Sequence, residues 1–185
     1  MITNMSRRIG IEVIEKPDDD KKDLILRSIE DIPGVRHREL LRLTGLSNGV
    51  LTYHLSTLYK LNQIRIDRQK SSKMTRYYTV NIPSNEISII GYFRNNTTRQ
   101  IIIFLLEHDL CTFNEIVDNI KKAPSTISWH LKRLREAQII SIRQGNEYQL
   151  YTLTNSESVA QILYKYKESF VDRIVNNYAE MIEDL

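Results

Sequence analysis

The sequence predicts a mainly α fold with small β-hairpins, written twice along one chain and followed by a long helix. Three observations carry that reading. The stretches GVLTYHL at 49–55 and STISWHL at 125–131 are near copies set 76 residues apart. Around each, apolar residues recur first at helical spacing and then in short strand-like runs. From residue 156 to residue 185 there is no Gly or Pro, and apolar side chains keep to one helical face.

The elements follow in chain order. Residues 1–20 form a lead-in with a candidate strand at 9–15 and the acidic run Asp18-Asp19-Asp20, expected to be flexible. The first unit spans 21–82. Leu24, Ile25 and Ile29 mark its first helix, 36–43 its second, and 48–61 its third. Gly45 supplies a positive φ in the turn between the last two, and Ser47 caps the third helix. Strands at 63–68 and 76–81 flank the polar loop QKSSKMT. The linker, 83–96, holds too many apolar residues to dangle and is expected to pack between the units, with a short helix near 86–93.

The second unit spans 97–155. Ile101, Ile102 and Leu105 mark its first helix, with Thr97 or Thr98 as cap. Thr112 caps a second helix at 113–120, and Pro124 opens a third at 124–137. Strands at 139–143 and 148–154 turn through Gly145-Asn146. The copies align further: Glu39-Leu40 with Glu115-Ile116, Leu51, Leu55 and Leu58 with Ile127, Leu131 and Leu134, Ile64 and Ile66 with Ile140 and Ile142. Two copies indicate a duplicated domain, not a solenoid. Helix, helix, tight turn, helix and hairpin make a winged helix-turn-helix, so the fold class is two such domains in tandem plus a C-terminal helix.

The stretch from Arg94 through RQIIIFLLEHDLCTFNEIVDNIKKAPSTISWHLKRLREAQII resembles the ArsR/MarR-type winged-helix regulators of bacteria and archaea. PGVRHRELLRLTGLSNGVLTYHLSTLYKLNQI is similar to the same superfamily, nearest to archaeal tandem winged-helix regulators. The resemblance covers about residues 21–154 and rests on apolar positions and a short S/T-x-x-H-L-x-x-L signature. It implies a DNA-binding transcription regulator that works as a dimer. The second copy departs from the pattern. Lys121-Lys122-Ala123 replaces the Gly-Leu-Ser turn, which predicts a looser or differently shaped turn. Asn62 and Gln138 stand where a glycine is usual, and Gln takes positive φ less readily than Asn.

On a wheel of about 100° per residue, Leu55 and Leu58 fall near Leu51 and form a buried stripe. Asn48, Gly49, Thr52, Tyr53, Ser56 and Lys60 lie outside it. In the second copy Ser125, Thr126, Ser128, Trp129, Lys132 and Arg133 do so. Small residues let a helix approach a major groove, hydroxyls bond to bases or phosphates, and Lys and Arg reach phosphate or guanine. Tyr53 and Trp129, at equivalent places, are read as contact residues; the alternative is sideways packing on the wing or the other unit. Residues 60–76 hold Lys60, Arg65, Arg68, Lys70, Lys73 and Arg76 against Asp67. Residues 121–143 hold Lys121, Lys122, Lys132, Arg133, Arg135 and Arg143 against Glu136. Positive charge thus gathers where a winged helix meets phosphate, and Arg68, Lys70, Lys73 and Arg76 on the first wing, with Lys121, Lys122 and Arg143 on the second turn and wing, are candidate contacts.

The remaining signals bound the function. The net charge is only +3, so distribution matters more than total. A single cysteine, Cys111, forms no internal disulfide and suits a reducing compartment. The longest apolar run, IIIFLL at 101–106, is far short of the roughly 20 residues that span a bilayer. Arg7 and Arg8 precede no signal-peptide core, and a cytoplasmic protein is expected. His54 and His130 recur beside the buried stripe, half-buried or touching phosphate, and His108 with Cys111 provides too few ligands for zinc. There is no Gly-rich phosphate loop, H-E-x-x-H or nucleophile elbow, so neither cofactor, metal nor enzyme is expected. Val159, Leu163, Tyr166, Phe170, Ile174, Tyr178, Met181 and Leu185 line one face of a continuous helix about 45 Å long, capped by Asn155 or Ser156. That face buries itself against a second copy, giving a homodimer, or packs back on its own chain. The partner is double-stranded DNA and the effector is unknown; the rival function is a winged-helix scaffold for protein–protein contacts.

Overall fold

The computed structural model describes residues 18–68 and 74–170. Lys70, Lys73, Ile174, Tyr178, Met181 and the candidate strand at 9–15 lie outside them. Along the chain run α1 (Asp18–Asp31), β1 (Val35–Arg36), α2 (His37–Thr44), α3 (Asn48–Lys60), β2 (Ile64–Arg68) and β3 (Thr75–Thr79). Then come α4 (Ser84–Phe93), α5 (Asn96–Glu107), β4 (Cys111–Thr112), α6 (Phe113–Ile120), α7 (Pro124–Glu136), β5 (Ile140–Gln144), β6 (Gln149–Leu153) and α8 (Ser156–Lys165). The order of elements from α1 to β3 recurs from α5 to β6. Each stretch closes on an antiparallel three-stranded sheet, β1-β3-β2 and β4-β6-β5, with Ile66 opposite Tyr77 and Ile142 opposite Tyr151.

Local chemistry accounts for most boundaries. Asp18, Asp19 and Asp20 do not lead in to α1 but form its first turn, where acidic side chains face the positive end of the helix dipole. Thr112 and Glu115 form a capping box on α6, and Asn155 accepts from the Ser158 amide at the start of α8. The cap of α5 is Asn95, which accepts from the Thr98 amide at 3.0 Å, so neither Thr97 nor Thr98 fills that role. The turn after α6 is not looser. Lys121 adopts φ 53°, as Gly45 adopts φ 67°, and both amides return to a carbonyl of the preceding helix. Gln138 at φ 58° likewise repeats Asn62 at φ 55°. A non-glycine residue there costs about 1–2 kcal/mol, which the buried Ile116, Ile120 and Ile127 around the turn offset.

The core falls into two clusters. The first holds Ile25, Ile29, Leu40, Leu51, Leu55, Leu58 and their neighbours. The second holds the α5–α7 core but also Tyr78 of β3, Ile82, and Ile90 and Phe93 of α4. The linker is therefore packed, as expected, and β3 is buried on both faces. The Tyr78 hydroxyl donates to the Ile87 carbonyl at 3.3 Å. Gly34, at φ 79°, passes so close that a Cβ there would meet the Tyr78 hydroxyl at 3.0 Å.

The same double covering corrects the expectation for Arg76. It is 1% exposed and donates to the Gly34 carbonyl at 2.8 Å. On β3 it stands between Arg36 of β1 and Asp67 of β2, and burial pulls its pKa down. A hairpin wing on an isolated unit would leave this face in water; here the linker and second unit cover it.

The C-terminal face is corrected as well. Its helix ends at Lys165, a single 3-10 turn covers Lys167–Ser169, and Phe170 is extended. Leu163 and Phe170, expected at a dimer contact, are buried within the chain, at 1% and 3% exposure. Phe170 meets the Phe93 ring edge-on at 5.6 Å and lies under the Arg94 guanidinium at 4.6 Å. Arg94 donates to the Pro33 carbonyl at 2.7 Å and to the Ser169 carbonyl at 2.6 Å, joining the first unit to the chain after α8. Burial is the main cause that pulls its pKa down to about 10. Tyr166, also expected at a dimer contact, donates to Glu86 of α4 at 2.7 Å. The described part of this face is in contact with its own chain.

Two stability outcomes follow. Phe170→Ala, emptying the slot between Phe93 and Arg94, lowers unfolding free energy by roughly 3–5 kcal/mol in urea titrations. Arg76→Ala strands the Gly34 carbonyl and costs about 2–3 kcal/mol, with the salt dependence of any duplex binding unchanged. A neutral Phe170→Ala, or an Arg76→Ala variant of native stability, contradicts these placements.

Candidate nucleic-acid interface

Helices α3 and α7 turn the same kind of face outward. On α3, Leu51, His54, Leu55 and Leu58 are buried. Asn48, Gly49, Thr52, Tyr53, Ser56 and Lys60 are exposed. On α7, Ile127, His130, Leu131 and Leu134 are buried, while Ser125, Thr126, Ser128, Trp129 and Lys132 are exposed. Tyr53 is 61% and Trp129 is 52% exposed, which rules out burial of either ring in a core. Each stacks edge-on against the histidine that follows it, at 5.2 Å for Tyr53 and 4.8 Å for Trp129.

Those histidines are buried supports, not phosphate contacts. His54 Nε2 lies 3.4 Å from Asp18 of α1. His130 Nδ1 is 2.9 Å from the Thr98 hydroxyl, and burial, then the nearby Arg133, pulls its pKa down. Its neutral ring is therefore favoured beneath Trp129.

The starts of the two helices differ in how they are held. Ser47 caps α3, accepting from the Val50 amide at 3.4 Å. Asn48 is further tied to His37, the first residue of α2, at 2.7 Å. His37 went unnoticed in the sequence because nothing in a linear pattern shows that two helix starts meet. Together with Thr52, Ser56, Tyr59, Arg68 and Tyr77 it lines a groove of about 490 Å³ between α3 and the hairpin. The start of α7 has Pro124 at its first position and no side-chain cap. The exposed Lys121 and Lys122 precede it.

The cations divide into two kinds. Lys60, Arg68, Lys121, Lys122, Lys132 and Arg143 are exposed. Lys132 is within 4.0 Å of Glu136, a weak surface pair. By contrast Arg65 donates to the Ile82 carbonyl at 3.0 Å and to the Ser84 hydroxyl at 3.1 Å, fastening β2 to the linker. Arg76 is buried as described. Arg133 is half-buried, its guanidinium 4.7 Å above the Trp129 ring. Cys111 is 1% exposed, and burial, with Glu115 and Asp109 nearby, pushes its thiol up to about 11. Among the described residues no group of three or more His, Cys, Asp or Glu side chains is placed to hold a metal ion, and no helix is long and apolar enough to cross a membrane.

Comparison with known proteins bears on the second of these helices most directly. Residues 96–141, from the start of α5 into β5, match the family described as bacterial regulatory protein, arsR family. The uncharacterized HTH-type transcriptional regulator MJ1398 of Methanocaldococcus jannaschii is 25% identical over 137 residues, 74% of this chain and 34% of that protein. The chain thus spans about a third of the length of this curated relative. Among solved structures, HlyU from Vibrio cholerae is similar at a TM-score of 0.40 with 24% identity, over 45% of this chain and 91% of that one. The transcriptional repressor BigR from Xylella fastidiosa is similar at 0.40 with 21% identity, over 45% and 86%. Residues 96–141 are thus similar to an arsR-type helix-turn-helix, and α7 is the third helix of that stretch.

Proposed function

We propose that this chain is a transcription regulator that binds double-stranded DNA sequence-specifically through two winged helix-turn-helix units, with α3 and α7 as the reading helices. One observation carries the reading. Tyr53 and Trp129 project outward at equivalent places on two like helices, each among small hydroxyl residues and cations and above a buried aliphatic stripe. An aromatic ring there can press on a thymine methyl while Ser and Thr bond to base edges or phosphates. The arsR-type match over α5 to α7 and the likeness to an HTH-type regulator support the same reading. A protein-binding scaffold would not need exposed cations beside the rings, and Lys60, Lys121, Lys122 and Lys132 supply them.

In this reading Lys121, Lys122 and Arg143 meet phosphate in the second unit, and Lys60 and Arg68 do so in the first, together with Lys70 and Lys73 of the loop. Since the described part of the C-terminal face is used within the chain, we propose that one chain presents both reading helices without a dimer contact through Leu163, Tyr166 or Phe170.

Selection of bound sequences from random duplexes, then titration over a salt series, provides the test. The triple change Lys121→Ala, Lys122→Ala, Arg143→Ala weakens all duplexes alike and flattens the logarithmic salt slope by up to about three. An unaltered slope removes these residues from the interface. Trp129→Ala and Tyr53→Ala each cost roughly 1–3 kcal/mol on the selected sequence, leave salt-driven binding to random DNA, and barely alter folding. Equal losses on selected and random duplexes, or no selection at all, refute sequence reading by these rings.

A further inference from the structure

The surface of α7 is held in a way that α3 is not. Four residues beyond Tyr53 stands Thr57, whose hydroxyl donates back to the Tyr53 carbonyl at 3.1 Å. Four residues beyond Trp129 stands Arg133, on the same helical face, with its guanidinium over the indole at 4.7 Å. That guanidinium also approaches a ring outside the helix-turn-helix: Tyr92 of α4, 5.9 Å away. The Tyr92 hydroxyl donates to the Arg133 carbonyl at 3.1 Å. Tyr92 therefore meets both ends of Arg133, main chain and guanidinium. Burial raises the pKa of the phenol and keeps its proton in place for that bond.

The same junction reaches the first unit. A small cleft is lined by Met74 and Arg76 at the base of the first hairpin, Tyr92 of α4, and Thr98, His130 and Arg133 of the second unit. An arginine on an open helix face samples many rotamers; one whose guanidinium lies within reach of two aromatic rings samples fewer.

We propose that Tyr92 is a positioning residue for the reading surface of α7, holding Arg133 and, through it, the Trp129 ring in one arrangement, so that the sequence preference of the second unit is set from the linker helix. Arg133 then acts through Trp129 and not as an independent phosphate contact. The proposal rests on α7 facing DNA, but its first test does not.

Trp129 is the only tryptophan of the chain, so its fluorescence reports on this arrangement in the free protein. Tyr92→Leu and Arg133→Met lower the anisotropy and raise acrylamide quenching by about twofold, as expected for a released surface rotamer. Tyr92→Phe, which keeps the ring, stays closer to the native values. The double variant Tyr92→Leu, Arg133→Met shows no more than Arg133→Met alone, because both act through one contact. Unchanged quenching in Tyr92→Leu beside a change in Arg133→Met overturns the proposal, as does additivity in the double variant. If Tyr92→Leu does not fold, Tyr92→Met, which also loses the ring, and Arg133→Met in single and double form decide in the same way. With DNA, Tyr92→Phe retains most of the ratio of selected to random binding, and Arg133→Met reduces it about tenfold. An unchanged ratio in Arg133→Met overturns the link to sequence preference. A native protein without any sequence preference refutes DNA reading by α7 instead, while the fluorescence still decides whether Tyr92 holds Trp129.

Discussion

The apolar face of α4 cannot remain in water, and its burial governs how the rest of the chain is arranged. Ile90 and Phe93 are wholly buried, and they join Tyr78 from one side and Phe170 from the other in a single cluster. Burying side chains of this size contributes about 1.5–3 kcal/mol each, more than a surface ion pair can. Once α4 is fixed, Arg94 at its end is enclosed and must find acceptors. It takes the carbonyls of Pro33 and Ser169, and so draws a loop of the first unit and the end of the described chain to one point. A segment that reads as a connection between two domains is thus the place where their cores are joined.

Charge follows from this packing. Arg65, Arg68, Arg76 and Arg133 all look in sequence like members of basic clusters. A guanidinium has five donors and an apolar stem, so it can satisfy carbonyls inside an interface as well as phosphates outside it. Arg65 and Arg76 are used in the first way, while the Arg133 guanidinium lies over the Trp129 ring. The lysines show no such division: Lys60, Lys121, Lys122 and Lys132 all stay exposed. The electrostatic face offered to a polyanion is therefore smaller than a residue count implies, and richer in lysine.

What the sequence made legible were features carried by local rules. The stripes of α3 and α7 and their outward rings follow from helical period alone. The caps by Ser47, Thr112 and Asn155 follow from short-range hydrogen bonding. What it hid was set by contacts distant along the chain. The two-residue strands β1 and β4 are too short to show a period. Arg76 alternates correctly for a hairpin, but β3 is a central strand whose outer face the linker covers. The even apolar period from 156 onward gives no sign that the helix stops at Lys165, because the stop depends on the slot between Phe93 and Arg94 that admits Phe170. Lys121 misled in the opposite direction. Its side chain disfavours positive φ, yet the turn is held by the same framework as Gly45, and the cost is small beside the core that the turn closes.

In the proposed function these constraints shape the DNA target itself. Two reading helices on a flexible tether would accept a range of separations, each gaining from a high effective concentration. Helices on units packed together through a linker accept few, since a second helix reaches the same side of the duplex only at about one helical turn, 34–36 Å, or its multiples. In a symmetric dimer the two helices are identical and the target is palindromic. Here the residues at matching places differ: Tyr53 against Trp129, Thr57 against Arg133, Gly49 against Ser125. In that proposal one chain carrying two unlike readers in a fixed relation has no physical reason to prefer a palindrome, and the expected target is an asymmetric site whose two halves are read in a set order.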